Sequence, residues 1–358
     1  MGLNCIYANN QNGTFTKITL GTIVTESLNS FGVSIADYNN DGLLDIYVTE
    51  WHSANSLYKN LGNFVFEKIT TGNIVSEYSD TEGSTWGDYN NDGFKDLFTT
   101  NDGVNFLYKN NGDETFTKID DLNICTEGDN SNGCSFTDYN NDGFVDLFIA
   151  NGGNQTNLLY YNTKNENNWL KIKCIGVEHN NSAIGVRVAV LATINNQQMW
   201  QYQEVSAQSG GGYGSQNGLV LNFGLGNATK VDSVIVKWNN RINENFSKIP
   251  VNSKLTIIQN IDNSVKENNS NLSFVDVYPN PFTEQINFNY SLQNKSVVDM
   301  KIFATDGKLV DHCIDNKTEM QGDYTVSLSK NIFNDEGVFV YVFKINNISY
   351  SGKIVLKN

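Results

Sequence analysis

Three stretches of the chain nearly superimpose: ADYNNDGLLDIYV from Ala36, GDYNNDGFKDLFT from Gly87 and TDYNNDGFVDLFI from Thr137, with first aspartates 51 and 50 residues apart. A fixed period of this size means that one small unit is built several times and stacked, each copy being too small to bury a core alone. Two further signatures recur out of phase with the first. One is NCIYAN from Asn4, NSLYKN from Asn55, NFLYKN from Asn105 and NLLYYN from Asn157. The other is TFTKIT from Thr14, FVFEKIT from Phe64 and TFTKID from Thr115. Each run is short, rich in β-branched and aromatic residues, and bounded by Asn, Gly or Asp, which are strand and turn signals. Four strands in a repeat of about 50 residues is the arithmetic of a β-propeller blade, with a solenoid of hairpins as the alternative. Three full repeats and a partial one fall short of the roughly four to eight blades of a closed ring, so the reading is a partial propeller with further blades upstream.

Each repeat carries D-x-N-x-D-G-x-x-D: Asp37, Asn39, Asp41 and Asp45; Asp88, Asn90, Asp92 and Asp96; Asp138, Asn140, Asp142 and Asp146. Side-chain oxygens at positions 1, 3 and 5, a glycine at 6 and a backbone carbonyl at 7 are the means by which a short loop wraps a hard cation. The carbonyl donors would be Leu43, Phe94 and Phe144. Three carboxylates and an amide favour Ca²⁺, about one ion per repeat and three in all. The pattern is not an EF-hand, because position 12 is Val48, Thr99 or Ile149 within a strand-like run, and the fourth acidic group sits at position 9. Asn, Asp and Gly also make tight turns without metal. Three copies of DYNNDG, each with the added aspartate, exceed what a turn requires.

These residues resemble the FG-GAP or VCBS repeats of extracellular calcium-binding β-propellers, over residues 1–165 with loops at 37–45, 88–96 and 138–146. The resemblance implies a metal role for the fifteen positions just named. The glycine-rich opening of such repeats is partly kept, in SFGVS, EGSTW and NGCSF.

From Asn168 the period stops, and WLKIKCIGV, AIGVRVAVLATI, MWQYQEVSA, GLVLNFGLG, VDSVIVKW and SKLTIIQ read as six or more strands of a β-sandwich-like domain over 166–261. This stretch resembles the ASPIC/UnbV domain, which follows FG-GAP repeats in the cartilage acidic protein group. The segment SGGGYGSQNG reads as a hairpin connection; as a site, its Tyr213, Gln216 and Asn217 could hold a sugar, while Gly214, Ser215 and Gly218 lack nucleophile-elbow spacing. Arg187 is expected to pair with a surface acid, and His179 to lie in a polar turn. Residues 262–273 are polar and aperiodic, a linker. Beyond it, 274–358 reads as a small antiparallel β-sandwich, with hairpin-turn chemistry at Asp306-Gly307 and Asn346-Asn347. With VYPNPF at its start and KIVLKN at the chain end, it resembles the type A sorting domain of the type IX secretion system. That implies recognition by the secretion machinery and export across the outer membrane to the cell surface or extracellular space. MGLNCIYANNQNGTFTKITLG shows neither a basic nor an apolar leader region, which with the mid-repeat start suggests an N-terminally truncated portion of an exported protein.

The chain has 24 Lys+Arg against 39 Asp+Glu, a net charge of −15. Such a balance repels phosphate polyanions and anionic membranes and attracts cations, so neither nucleic acid nor membrane insertion is expected. No apolar run approaches the ~18 residues of a membrane helix. The five cysteines contain no CxxC pair, and Cys125 and Cys134 leave open either a small disulfide or two buried thiols. His52, His179 and His312 lie far apart, and Glu82, Glu127 and Glu204 show no spacing of a catalytic pair, so no enzyme is expected. Two functions fit the whole: a calcium-stabilised adhesion scaffold that meets glycans or proteins through loops on one propeller face, or the accessory region of a polysaccharide-active enzyme with its catalytic domain upstream.

Overall fold

The computed structural model describes residues 2–125, 128–177, 180–207, 216–239, 243–259, 275–292, 294–304, 308–333, 335–346 and 348–357. Glu127, His179, Tyr213, Gly214, Ser215, the 262–273 linker, Asp306-Gly307 and Asn347 lie outside them. The chain is nearly all β and divides into two compact units, Met1–Ile261 and Asp262–Asn358.

The first unit begins with a hairpin, β1 (Ile6–Asn9) and β2 (Phe15–Ile18). A four-stranded antiparallel sheet follows, β3 (Ser30–Ala36), β4 (Asp45–Glu50), β5 (Ser56–Asn60) and β6 (Phe66–Ile69), in sequence order. The next repeat makes β7 (Thr81–Gly87), β8 (Asp96–Val104), β9 (Phe106–Asn110) and β10 (Phe116–Ile119); the third makes β11 (Gly128–Thr137), β12 (Asp146–Asn151) and β13 (Leu158–Tyr160). The acidic loop closes the first hairpin of every repeat in one register: Ala36 faces Asp45, Gly87 faces Asp96 and Thr137 faces Asp146. The strand opening that the glycine signature only partly specified is a bulge, at Ser30/Gly32, Thr81/Gly83 and Ser131/Gly133. In the first two repeats the glycine N–H after the bulge donates to a threonine hydroxyl on the neighbouring strand, Gly32 to Thr49 at 2.8 Å and Gly83 to Thr100 at 2.9 Å. These are stacked blades, and no sheet among the described residues closes on itself.

Blade packs on blade through the first strand of each repeat. Trp86 of β7 lies edge-on to Tyr47 and stacked near Tyr38 of the preceding blade, with centroids 6.1 and 6.4 Å away. Its indole N–H donates to Ser34, which also meets Ser84 at 2.7 Å. One repeat later, Phe136, Cys134 and Cys125 pack with Phe98 and Leu107. Neither cysteine forms a disulfide. The inter-blade core needs small apolar groups there, and burial pushes the Cys125 thiol up to about 11.

The ASPIC-like segment contains β14 (Asn168–Ile175), β15 (Arg187–Ile194), β16 (Gln197–Glu204), β17 (Leu221–Gly226), β18 (Val231–Lys237), β19 (Asn243–Ile249) and β20 (Ser253–Ile258). They form a three-stranded sheet, β17-β14-β20, and a four-stranded sheet, β16-β15-β18-β19, around one apolar core. Of the SGGGYGSQNG segment, residues 209–215 lie outside the described residues; the strands on either side of it, β16 and β17, belong to different sheets and do not pair as a hairpin. Arg187 meets Glu204 at 2.9 Å, as its place on an exposed strand face suggested.

The second unit is a two-sheet sandwich: β21 (Val275–Tyr278), β22 (Gln285–Leu292), β23 (Ser296–Ala304), β24 (Leu309–Glu319), β25 (Gly322–Ser329), β26 (Gly337–Ile345) and β27 (Ile348–Leu356). The sheets are ordered β21-β22-β25 and β24-β23-β26-β27, and Phe288, Met300 and Phe343 meet between them, fully buried.

Candidate metal centres

Each loop is organised by its own carboxylates. The position-1 aspartate accepts two backbone N–H groups: Asp37 from Asp41 and Gly42, Asp88 from Asp92 and Gly93, and Asp138 from Asp142 and Gly143, all at 2.8–3.1 Å. The position-3 amide oxygen of Asn39, Asn90 or Asn140 accepts from the position-5 N–H. The position-5 carboxylate of Asp41, Asp92 or Asp142 accepts from the N–H of Leu43, Phe94 or Phe144. Position 9 staples the loop to the blade. Asp45, Asp96 and Asp146 each accept from the N–H of the tyrosine at position 2 and from that of Asn60, Asn110 or Asn162.

Those three asparagines close the NSLYKN-type signatures, and their role was not legible in the sequence. Asn110 donates to Lys95 O beside its own loop and to Tyr38 O of the preceding blade, and Asn162 does the same to Val145 O and Tyr89 O. The loops are also tied to one another. The position-4 Asn40 donates to Gly93 O at 3.0 Å, and Asn91 to Gly143 O at 3.1 Å. Asn40, Asn91 and Asn141 take this place with φ of 58°, 54° and 63°, a left-handed conformation that Asn tolerates.

The middle domain packs against one side of the acidic loops, while Asp41, Asn140 and Asn141 stay exposed. A Cβ on Gly143 (φ +96°) would stand 2.0 Å from the Trp169 ring, and one on Gly224 would stand 2.0 Å from Asp88 Oδ2. Lys171 Nζ lies 2.6 Å from Asp138 Oδ2, with both side chains buried, and Lys254 reaches Asn141 at 3.1 Å. Asn217 donates to Trp86 O and accepts from Phe136 N, tying the middle domain to the first strands of the second and third blades. A cavity of about 370 Å³ between them is lined by Trp86, Phe136, Tyr202, Lys95, Lys171 and Glu204.

The donor set tests whether a cation fits. Asp37, Asp45, Asp88, Asp96 and Asp146 are almost wholly buried. Burial pushes Asp37 up to about 6 and Asp45 up to about 7. Burial, then the neighbouring Asp92 charge, takes Asp88 to about 7, and burial raises Asp96 well above the carboxylate range. Carboxylates, amide oxygens and carbonyls gathered in one short loop are a hard-cation donor set, and in the first loop no ion pair among the described residues offsets the buried carboxylates, so the residues fit calcium. The three carboxylates of a loop are not drawn into a trio within 4.8 Å, since backbone N–H groups orient them and like charges repel. Among the described residues such a trio occurs at Asp299, His312 and Asp315 in the second unit, and it could hold a metal. There the His312 imidazole lies 2.5 Å from Asp299, and Lys301, 3.5 Å away, supplies a positive partner.

Comparison with known families accounts for most of the chain. FG-GAP-like repeats match residues 2–48, 37–99 and 88–149, ASPIC and UnbV matches 176–264, and the secretion system C-terminal sorting domain matches 276–357. The chain carries all three modules in that order. FG-GAP repeats are commonly calcium-binding. The sorting domain marks the protein for export by type IX secretion to the cell surface or extracellular space. No helix among the described residues is long and apolar enough to cross a membrane. No curated protein matches. Among solved structures, dimeric latent PorU from Porphyromonas gingivalis aligns with 99% of this chain and 29% of its own, at 10% identity and a TM-score of 0.21. A likeness that low carries no structural argument.

Proposed function

We propose that this FG-GAP protein is a non-catalytic, surface-displayed binding scaffold whose blades and ASPIC/UnbV domain are clamped together by calcium in the acidic loops. The observation that carries the reading is the recurrence in three repeats of one oxygen cradle with buried aspartates at positions 1 and 9, each stapled to a neighbouring blade or to the middle domain. Asp37, Asn39, Asp41 and Asp45, with the Leu43 carbonyl, would hold one ion. Asp88, Asn90, Asp92 and Asp96 with Phe94, and Asp138, Asn140, Asp142 and Asp146 with Phe144, would hold the others. Bound calcium supplies positive charge to carboxylates that burial otherwise penalises, so ion binding is partly folding energy.

With the middle domain packed against the acidic-loop side, the ligand-binding role falls to the opposite ends of the same strands. There Phe31 and Trp51 stack at 5.5 Å, His52 packs beside Trp51, and Tyr78 is 70% exposed. Adjacent aromatic faces with polar neighbours suit sugar rings or a protein ligand. A glycan array probed with the full chain tests this: Trp51→Ala should remove the calcium-dependent signal, and retention of that signal would reject the rim as the site. Deleting residues 276–357 should leave the protein inside the cell, the direct test of export.

A further inference from the structure

The three loops differ in what else neutralises them. Among the described residues, Asp37, Asp41 and Asp45 of the first loop form no ion pair. In the second loop, Lys109 Nζ stands 3.9 Å from Asp92. The third loop has two direct partners: Lys171 Nζ at 2.6 Å from Asp138, and Lys164 Nζ at 3.1 Å from Asp142.

Position in the array accounts for the difference. The first and second loops each hand an asparagine donor to the glycine carbonyl of the next loop. Asn141 of the third loop has no following loop, and its amide oxygen instead accepts from Lys171 at 3.4 Å and Lys254 at 3.1 Å. Lys171 sits on β14 and Lys254 on the adjoining β20, so the middle domain meets the array with ammonium groups at the point where the loop-to-loop contacts stop.

We propose that the loops are a graded series of cation sites, the first binding calcium most tightly and the third least, because Lys171 and Lys164 already supply much of the positive charge the third would take from an ion. Lys171 bonds Asp138 Oδ2, the oxygen that also accepts the Gly143 N–H, so it acts on the site from outside as a fixed counter-charge. A fixed unit charge that neighbours a ligand of a divalent ion, at the effective dielectric of ~20 near a protein surface, is worth on the order of ten-fold or more in affinity. This inference rests on the calcium reading above and specifies which blade holds the middle domain without metal: the third.

The test is calcium uptake by the full chain, followed by equilibrium dialysis across micromolar to millimolar free calcium and by native mass spectrometry. The wild type should take up two ions before the third, with at least a ten-fold separation. Lys171→Met should close that gap while leaving the first two steps in place. If Lys171→Met does not fold, Lys164→Gln, whose parent side chain is 42% exposed, reads the same effect at about three-fold. Asp37→Asn should remove the tightest step. Three equal steps in the wild type, or curves unchanged by both lysine variants, overturn the gradation and leave the calcium reading standing. No uptake at any loop overturns both.

Discussion

Raising the pH in a chelator should destabilise the metal-free protein, opposite to what paired surface carboxylates do. Asp37 and Asp45 titrate near 6 and 7 in the folded chain, against the ordinary carboxylate value near 4, because folding buries them beside one another. A raised folded pKa means that the native state holds the proton more tightly than the unfolded chain. The contribution to stability is then fully present below pH ~4 and is lost as pH climbs through 6 to 7. At 1.36 kcal/mol per pKa unit, the loss is ~3 kcal/mol for Asp37 and ~4 kcal/mol for Asp45, before any contribution from the second loop. Calcium reverses the sign, since the ion needs deprotonated ligands and displaces those protons. Thermal melts of the full chain between pH 5 and 8, in EDTA and in millimolar calcium, should therefore diverge with pH: the chelated protein melts lower at pH 8 than at pH 5, and calcium stabilises it most at pH 8. A chelated melt that rises or stays level over that interval would refute the charge argument.

Further substitutions probe the docking. Gly224→Ala places a methyl group against Asp88 and the Asn91 backbone, so it should cost roughly 1–3 kcal/mol by overpacking and speed proteolysis between blades and middle domain. Asn110→Ala removes bonds to Tyr38 O and Lys95 O and should lower stability by about 2 kcal/mol in urea melts, with calcium present or absent. Gly143→Ala, which forces Trp169 aside and strains φ, should release the middle domain from the third blade, read as increased hydrogen exchange in β14.

The blades were legible because their information is local: turn chemistry, strand runs and period all lie within 50 residues. The acidic loops were legible as oxygen-rich turns for the same reason. What covers them was not, since Lys171 and Gly224 meet Asp138 and Asp88 across long sequence separations and look like ordinary strand residues. Asn60, Asn110 and Asn162 were visible only as a repeating letter, and the bonds of Asn110 and Asn162 to the preceding blade join residues 72 and 73 positions apart. The β19 strand escaped the reading because its alternation, NENFSKI, is weak and mostly exposed. The expected hairpin between β16 and β17 does not form, because strands adjacent in sequence need not pair and these two belong to different sheets.

The account stands or falls on metal content. Elemental analysis of the full chain, equilibrated in millimolar calcium and then freed of unbound ions, should give at least two calcium ions per chain, with one lost in Asp41→Asn. A protein that carries no calcium, yet melts identically with and without EDTA at pH 8, would show that the three loops are held by hydrogen bonds alone.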